Sequence, residues 1–133
     1  MNRAILILTF FLVSAAPAFA ALPPLDNAER QAESNIVVRG EIVSIEARKK
    51  HKRSGYSDLE MVLGIEIAEC IKGGLEPGTI VYIQCWVADQ RPDGWAGDGG
   101  QRPRPGKGDK GTFYAEERDG KLHLLTPNGW DRE

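Results

Sequence analysis

The chain is poor in the residues on which most catalytic chemistry is built. It has two cysteines and two histidines in 133 residues. His51 lies in a charged segment and His123 in a short apolar one, so no set of zinc ligands can be assembled. There is no C-x-x-C pair, which excludes the usual dithiol redox motif. Ser34, Ser44, Ser54 and Ser57 sit in no G-x-S-x-G elbow. The glycines that follow residue 90 do not join a strand to a helix, so they form no phosphate cradle. These gaps predict a non-catalytic protein with no cofactor and no bound metal. Internal repeats are lacking too, and beyond residue 20 no apolar run is long enough for a resident membrane span.

What is present begins with an address. Arg3, the apolar run Ala4 to Val13, the breakers Ser14 and Pro17, and the triplet Ala18, Phe19, Ala20 read as a signal peptide cleaved after Ala20. The expected location is therefore secreted or periplasmic, and no cysteine follows the cleavage site to carry a lipid. Removing 20 of 133 residues leaves 113, enough for one hydrophobic core and one domain, residues 21–133. Losing Arg3 takes the 17 basic residues to 16 against 19 acidic, a balance of minus three. That balance argues against a dedicated nucleic-acid binder.

Hydrophobic periodicity predicts a mainly β domain. Asp26 or Asn27 caps a short helix through Ala28 to Glu33. A first strand spans Ile36 to Ile45, with Gly40 marking a bulge or bend. Leu59, Met61, Leu63, Ile65 and Ile67 alternate with mostly polar neighbours as a second strand, and Ile80 to Val87 forms a third, hairpin-joined to it. Residues 88–109 lack any pattern and read as a long Gly/Pro-rich loop. Thr112 to Ala115 and Leu122 to Leu125 supply a fourth and fifth strand around the Asp119-Gly120 turn, and Trp130 ends the chain as an aromatic plug. Five strands with long early members and one short N-terminal helix predict a small, curved, OB-like barrel. A β-sandwich is the alternative, for which the strands are few.

The helix with Ala28, Glu29, Ala32 and Glu33, the segments NIVVRGEIVSIE and MVLGIEIAECIKGGLEPGTIVYIQ, and the ending YAEERDGKLHLLTPNGWD together resemble netrin-like modules related to tissue inhibitors of metalloproteases. The resemblance covers most of the mature chain apart from the 88–109 loop, and it implies an OB-like barrel behind an N-terminal helix. In those inhibitors an N-terminal cysteine chelates the protease zinc. Here the mature chain is expected to begin Ala21, Leu22, Pro23, Pro24, so the resemblance extends to the fold and not to the inhibitory wedge.

Cys70 and Cys85 invite a disulfide in a secreted chain. If Ile67 lies opposite Ile83 and Ile65 opposite Cys85, however, the two cysteines stand about 16 Å apart at ~3.3 Å per residue. That exceeds the ~7 Å limit for bridged α-carbons. Cys85 is then a core residue and Cys70 a free thiol. The continuous basic run of Arg48, Lys49, Lys50, His51, Lys52 and Arg53 is expected in the loop between the first two strands, as a polyanion-binding surface or as a solvated hairpin tip. Trp95 either anchors a partner or sugar ring, or folds back beside Trp86. Asp89, Asp93 and Asp98 do not follow a calcium-loop spacing. The expected function is a binding or interaction module for an acidic envelope polymer or an extracytoplasmic protein partner. The alternative is an inhibitor or regulator of an extracytoplasmic hydrolase.

Overall fold

The computed structural model describes residues 22–95 and 97–133. The expected signal peptide, residues 1–20, and its cleavage site lie outside the described residues. No helix among the described residues is long and apolar enough to cross a membrane.

The single helix, α1 (Asn27–Glu33), has Asp26 as its N-cap. The Asp26 carboxylate accepts from the Glu29 amide at 2.8 Å, and the Glu29 carboxylate accepts from the Asp26 amide at 3.1 Å, forming a capping box. Seven residues are too few to hold a helix alone. Arg30 docks it, with only 5% of its surface exposed. Its guanidinium donates to Asp131 at 2.8 Å and to the Asn128 carbonyl at 3.2 Å, and lies 4.4 Å from the Tyr114 ring centre.

The strands are β1 (Ile36–Arg53), β2 (Tyr56–Lys72), β3 (Ile80–Gln90), β4 (Lys110–Arg118), β5 (Lys121–Leu124) and β6 (Trp130–Arg132). They pair in the order β1-β2-β3-β5-β4, and β4 returns to β1 through Ile36↔Ala115 to Glu41↔Lys110. The result is a closed five-stranded OB-like barrel, with β3 and β5 parallel. Closure excludes the sandwich. Gly40 stands at a register shift where β1 is flanked by both β2 and β4. A Cβ there would run into the Glu66 carbonyl, so the bend needs glycine.

Three expectations are corrected. First, the basic run is not in a loop: β1 continues to Arg53 and turns through Ser54 and Gly55 into β2. Both faces of this distal arm carry polar side chains, so no apolar alternation marks it as strand. Second, the β2–β3 register is Met61↔Cys85, Leu63↔Ile83 and Ile65↔Val81, four residues from the expected one. The same faces point inward, but β2 runs on to Lys72 paired with β1, and 67–79 form a wider excursion than a simple hairpin loop. Third, a sixth strand exists. The aromatic plug is β6, which adds to β4 through Phe113↔Trp130.

The core gathers Val38, Ile42, Leu63, Ile65, Ile83, Phe113 and Trp130, all essentially buried. The Trp130 ring stacks parallel on Phe113 with centroids 5.4 Å apart, and its N–H donates to the Pro103 carbonyl at 2.8 Å. Much of the patternless 88–109 stretch is packed as well. Gly100 bridges Val87, and buried Gln101 donates to the Leu125 carbonyl at 2.6 Å while accepting from the Gly129 amide at 3.1 Å. Trp130→Ala is expected to cost about 3–5 kcal/mol, seen as a lower denaturant midpoint with an unchanged slope.

Candidate binding groove

The distal β1–β2 arm is laced by charge. Arg48 lies directly opposite Glu60 and bonds it at 3.2 Å, while Lys50 reaches the other oxygen of Glu60 at 3.3 Å. Lys52 reaches Asp58 at 2.9 Å, and Lys49 meets Asp89 at 3.2 Å. The Arg48, Lys50 and Lys52 contacts are the directly opposed and diagonal pairs that an antiparallel ladder brings within reach, whereas Lys49 reaches past β2 to β3. Arg53 makes no ion pair among the described residues and stacks 4.0 Å from the Tyr56 ring centre. The run is therefore four paired cations, an exposed histidine and one stacked arginine, rather than an open polycation.

Within the arm, opposite Lys50, Asp58 is only 3% exposed, held between Arg91 and Lys52. Burial pushes its carboxyl up, but the hydrogen bonds from Arg91 and Lys52 outweigh that and hold it below the ordinary aspartate range. Arg91 also donates to the Ser57 carbonyl at 2.8 Å, and the Ser57 hydroxyl donates to Asp89 at 2.8 Å. Asp89 is thereby lowered too, by Ser57 first and then Lys49. This lacing fixes the start of the segment after β3, where Trp95 packs edge-on against Tyr56 at 5.0 Å. Trp95 remains 40% exposed, and its aromatic partner is Tyr56 at the end of the arm.

Below the arm an open groove of about 580 Å³ runs across the outer face of β2 and β3. One bank carries Arg48 and Lys52, and the other, from the β4–β5 hairpin, carries Arg118, Lys121 and His123. Val62, Gln84 and Trp86 lie between, with the Lys52 ammonium 5.8 Å from the Trp86 ring centre. Four cations, Arg48, Lys52, Arg118 and Lys121, face three carboxylates, Glu46, Asp58 and Glu60, so the lining is only one charge positive. Glu60 stays ionised because Arg48 and then Lys50 outweigh its partial burial. His123 is held below the ordinary histidine value by burial, reinforced by Arg118 and Lys121 against Glu116 and Asp119.

Of the residues singled out in the sequence, Arg48 and Lys52 line the groove, Lys50 braces Glu60 beside it, and Lys49 and Arg53 serve other contacts. Arg118, Lys121, Gln84 and Trp86 were not singled out as binding residues, although the Asp119-Gly120 turn between two strands placed Arg118 and Lys121 beside each other. Asp89, Asp93 and Asp98 do not converge: Asp89 pairs with Lys49, Asp98 accepts from the Gly100 amide at 2.9 Å, and no metal-binding cluster occurs among the described residues.

Both cysteines are free. With Cys85 opposite Met61, they stand nine positions apart along β2, well beyond a directly opposed pair. Cys85 borders the groove, and burial pushes its thiol up to about 12. The Cys70 sulfur donates to the Lys72 carbonyl and accepts from the Leu75 amide, both at 3.3 Å, which braces the turn after β2.

Thiol titration of the folded protein at neutral pH should count one reactive group, Cys70, and two only in denaturant; Cys70→Ser should abolish the native signal. Asp58→Asn should lower stability by about 2–4 kcal/mol by leaving Arg91 without its buried partner. Because the folded-state value of Asp58 is lowered, its contribution is complete above the ordinary aspartate value of about 3.9 and is lost as pH falls through the folded value. The wild-type stability advantage over Asp58→Asn should therefore shrink in acid denaturant titrations below about pH 4.

Comparison of the chain with protein-family models, with curated proteins and with solved structures finds no match.

Proposed function

We propose that the protein is a non-catalytic binding module, secreted or periplasmic, that holds an extended acidic polymer of the cell envelope along the β2–β3 groove. The observation that carries this reading is the pair of cationic banks. Arg48 and Lys52 come from one hairpin, Arg118 and Lys121 from another some seventy residues later, and they border the same groove. OB barrels commonly take ligands on the strand 2–3 face between the loops joining strands 1–2 and 4–5, which is where this groove lies. The paired state of Arg48 and Lys52 also has a use. Their carboxylate partners pre-order them, so a ligand meets positioned donors rather than flexible side chains. Regulation of an extracytoplasmic hydrolase is the other reading, suggested by the netrin-like resemblance. The segment after the proposed cleavage site, Ala21 to Pro24, carries no cysteine of the kind on which inhibition in those proteins rests.

His123 gives the groove a proton-linked response. Burial and the neighbouring cations disfavour its protonated form in the free groove, and an anion bound beside Arg118 and Lys121 offsets those cations and favours the imidazolium. Affinity should therefore rise as pH is lowered through the histidine range, and His123→Ala should flatten that rise.

Titration of the purified protein with polygalacturonate and with linear polyphosphate, at two salt concentrations, tests the reading. The expected result is binding to at least one polymer that weakens with salt. The double variants Arg48→Gln/Lys52→Gln and Arg118→Gln/Lys121→Gln should each weaken it about fivefold. No binding to either polymer, or binding that salt and both variants leave unchanged, would overturn it.

A further inference from the structure

The outer face of β3 presents Ile80, Tyr82, Gln84 and Trp86 in succession, because alternate residues of a strand share a side. Tyr82 is 61% exposed, the largest exposure among the exposed large apolar and aromatic side chains. It pairs with Gly64 on β2, and its ring carbon lies 3.4 Å from where a Cβ of Gly64 would stand. The ring thus rests on a neighbour with no side chain, and nothing on β2 covers it. Trp86, half-buried in the groove wall, stands four positions along the same row. Their backbone positions are about 13 Å apart at ~3.3 Å per residue, on the scale of two or three linked sugar rings. Between them lies Gln84, register partner of His123 on β5 and of Val62 on β2. The row is an aromatic ring, an amide beside an imidazole, and a second aromatic ring.

From this row we infer that the polymer is a sugar chain with no more than one carboxylate per ring, such as a uronic-acid polysaccharide, stacked on Tyr82 and Trp86. The inference rests on the reading of the groove as an acidic-polymer site and narrows its ligand class. Charge density makes the distinction. A polyphosphate carries a charge on every phosphorus with no neutral surface between, and would set its anions against Glu46, Asp58 and Glu60 as well as against the four cations. A lining only one charge positive suits a ligand whose anions are spaced apart and whose remaining surface is neutral. Pyranose rings offer an apolar C–H face to an aromatic ring and hydroxyl groups to the Gln84 amide, the His123 imidazole and the carboxylates, which accept hydrogen bonds without needing a cation. Lys121 makes no ion pair among the described residues and is the cation placed to meet a uronate.

The test compares Tyr82→Ala, Tyr82→Phe and Trp86→Ala with wild type against polygalacturonate and linear polyphosphate of matched charge. Wild type should bind polygalacturonate more tightly than polyphosphate. Tyr82→Ala should weaken polygalacturonate about three- to tenfold and leave polyphosphate unchanged. Tyr82→Phe, which keeps the stacking face, should retain affinity. Tyr82 is an exposed side chain, so its variants should keep the wild-type melting temperature, which covers the case in which Trp86→Ala fails to fold. Polyphosphate bound as tightly as polygalacturonate, or no effect of Tyr82→Ala, overturns the sugar inference while leaving the acidic-polymer reading in place. Failure of both polymers to bind overturns both.

Discussion

Every later feature of this molecule depends on β1 serving two neighbours at once. Over Val37–Glu41 it pairs with β2 on one edge and β4 on the other, and that double pairing closes the barrel. A strand in this position must bend sharply with a neighbouring backbone close against it, which explains why Gly40 sits where a Cβ would meet the Glu66 carbonyl. Past Glu41 the β4 edge is used up, and β1 keeps β2 as its ladder partner out to Arg53. The same strand is therefore barrel wall at one end and the edge of a β1-β2-β3 sheet at the other. The arm supplies one bank of the groove, while β4, ordered by closure and continued into β5, supplies the other.

Electrostatics divides along the same line. Inside the barrel the chain buries aliphatic and aromatic side chains, with Phe113 and Trp130 stacked at the centre. Beyond Ile45, β1 buries no apolar side chain, and cross-strand pairs of Arg48, Lys50 and Lys52 with Glu60 and Asp58 accompany the ladder instead. Exposed pairs of this kind contribute little individually. Asp58 differs because it is buried, and with Arg91 it ties the arm to the segment that follows β3. Charge repulsion within the basic run is relieved by partners from the opposing strands, while the run's paired cations discourage edge-to-edge association along β1.

Much of this was legible in the chain. The strict alternation of Leu59 to Ile67 identified the inward face of β2, and that face is the one observed despite the four-residue change in register. Gly40 announced the bend, Asp119-Gly120 announced the β4–β5 turn, and both of those residues take positive φ, at 54° and 74°. The arm was illegible because a strand with two wet faces has no hydrophobic period. β6 was illegible for a different reason. Three residues make too short a pattern, and only the vacant edge of β4 makes them a strand.

The inward faces, the turns and the capped helix could be read from the chain because each is set by near neighbours along it, and the scarcity of cysteine and histidine is plain in its composition. Which charges face one another was settled only on folding. Lys49 and Asp89, Arg30 and Asp131, and the two banks of the groove are separated by tens of residues, and their meeting depends on barrel closure and strand register. The basic run is the clearest instance. Its composition suggested an open cationic surface, but the antiparallel ladder placed carboxylates opposite its cations and turned it into one side of a nearly balanced groove.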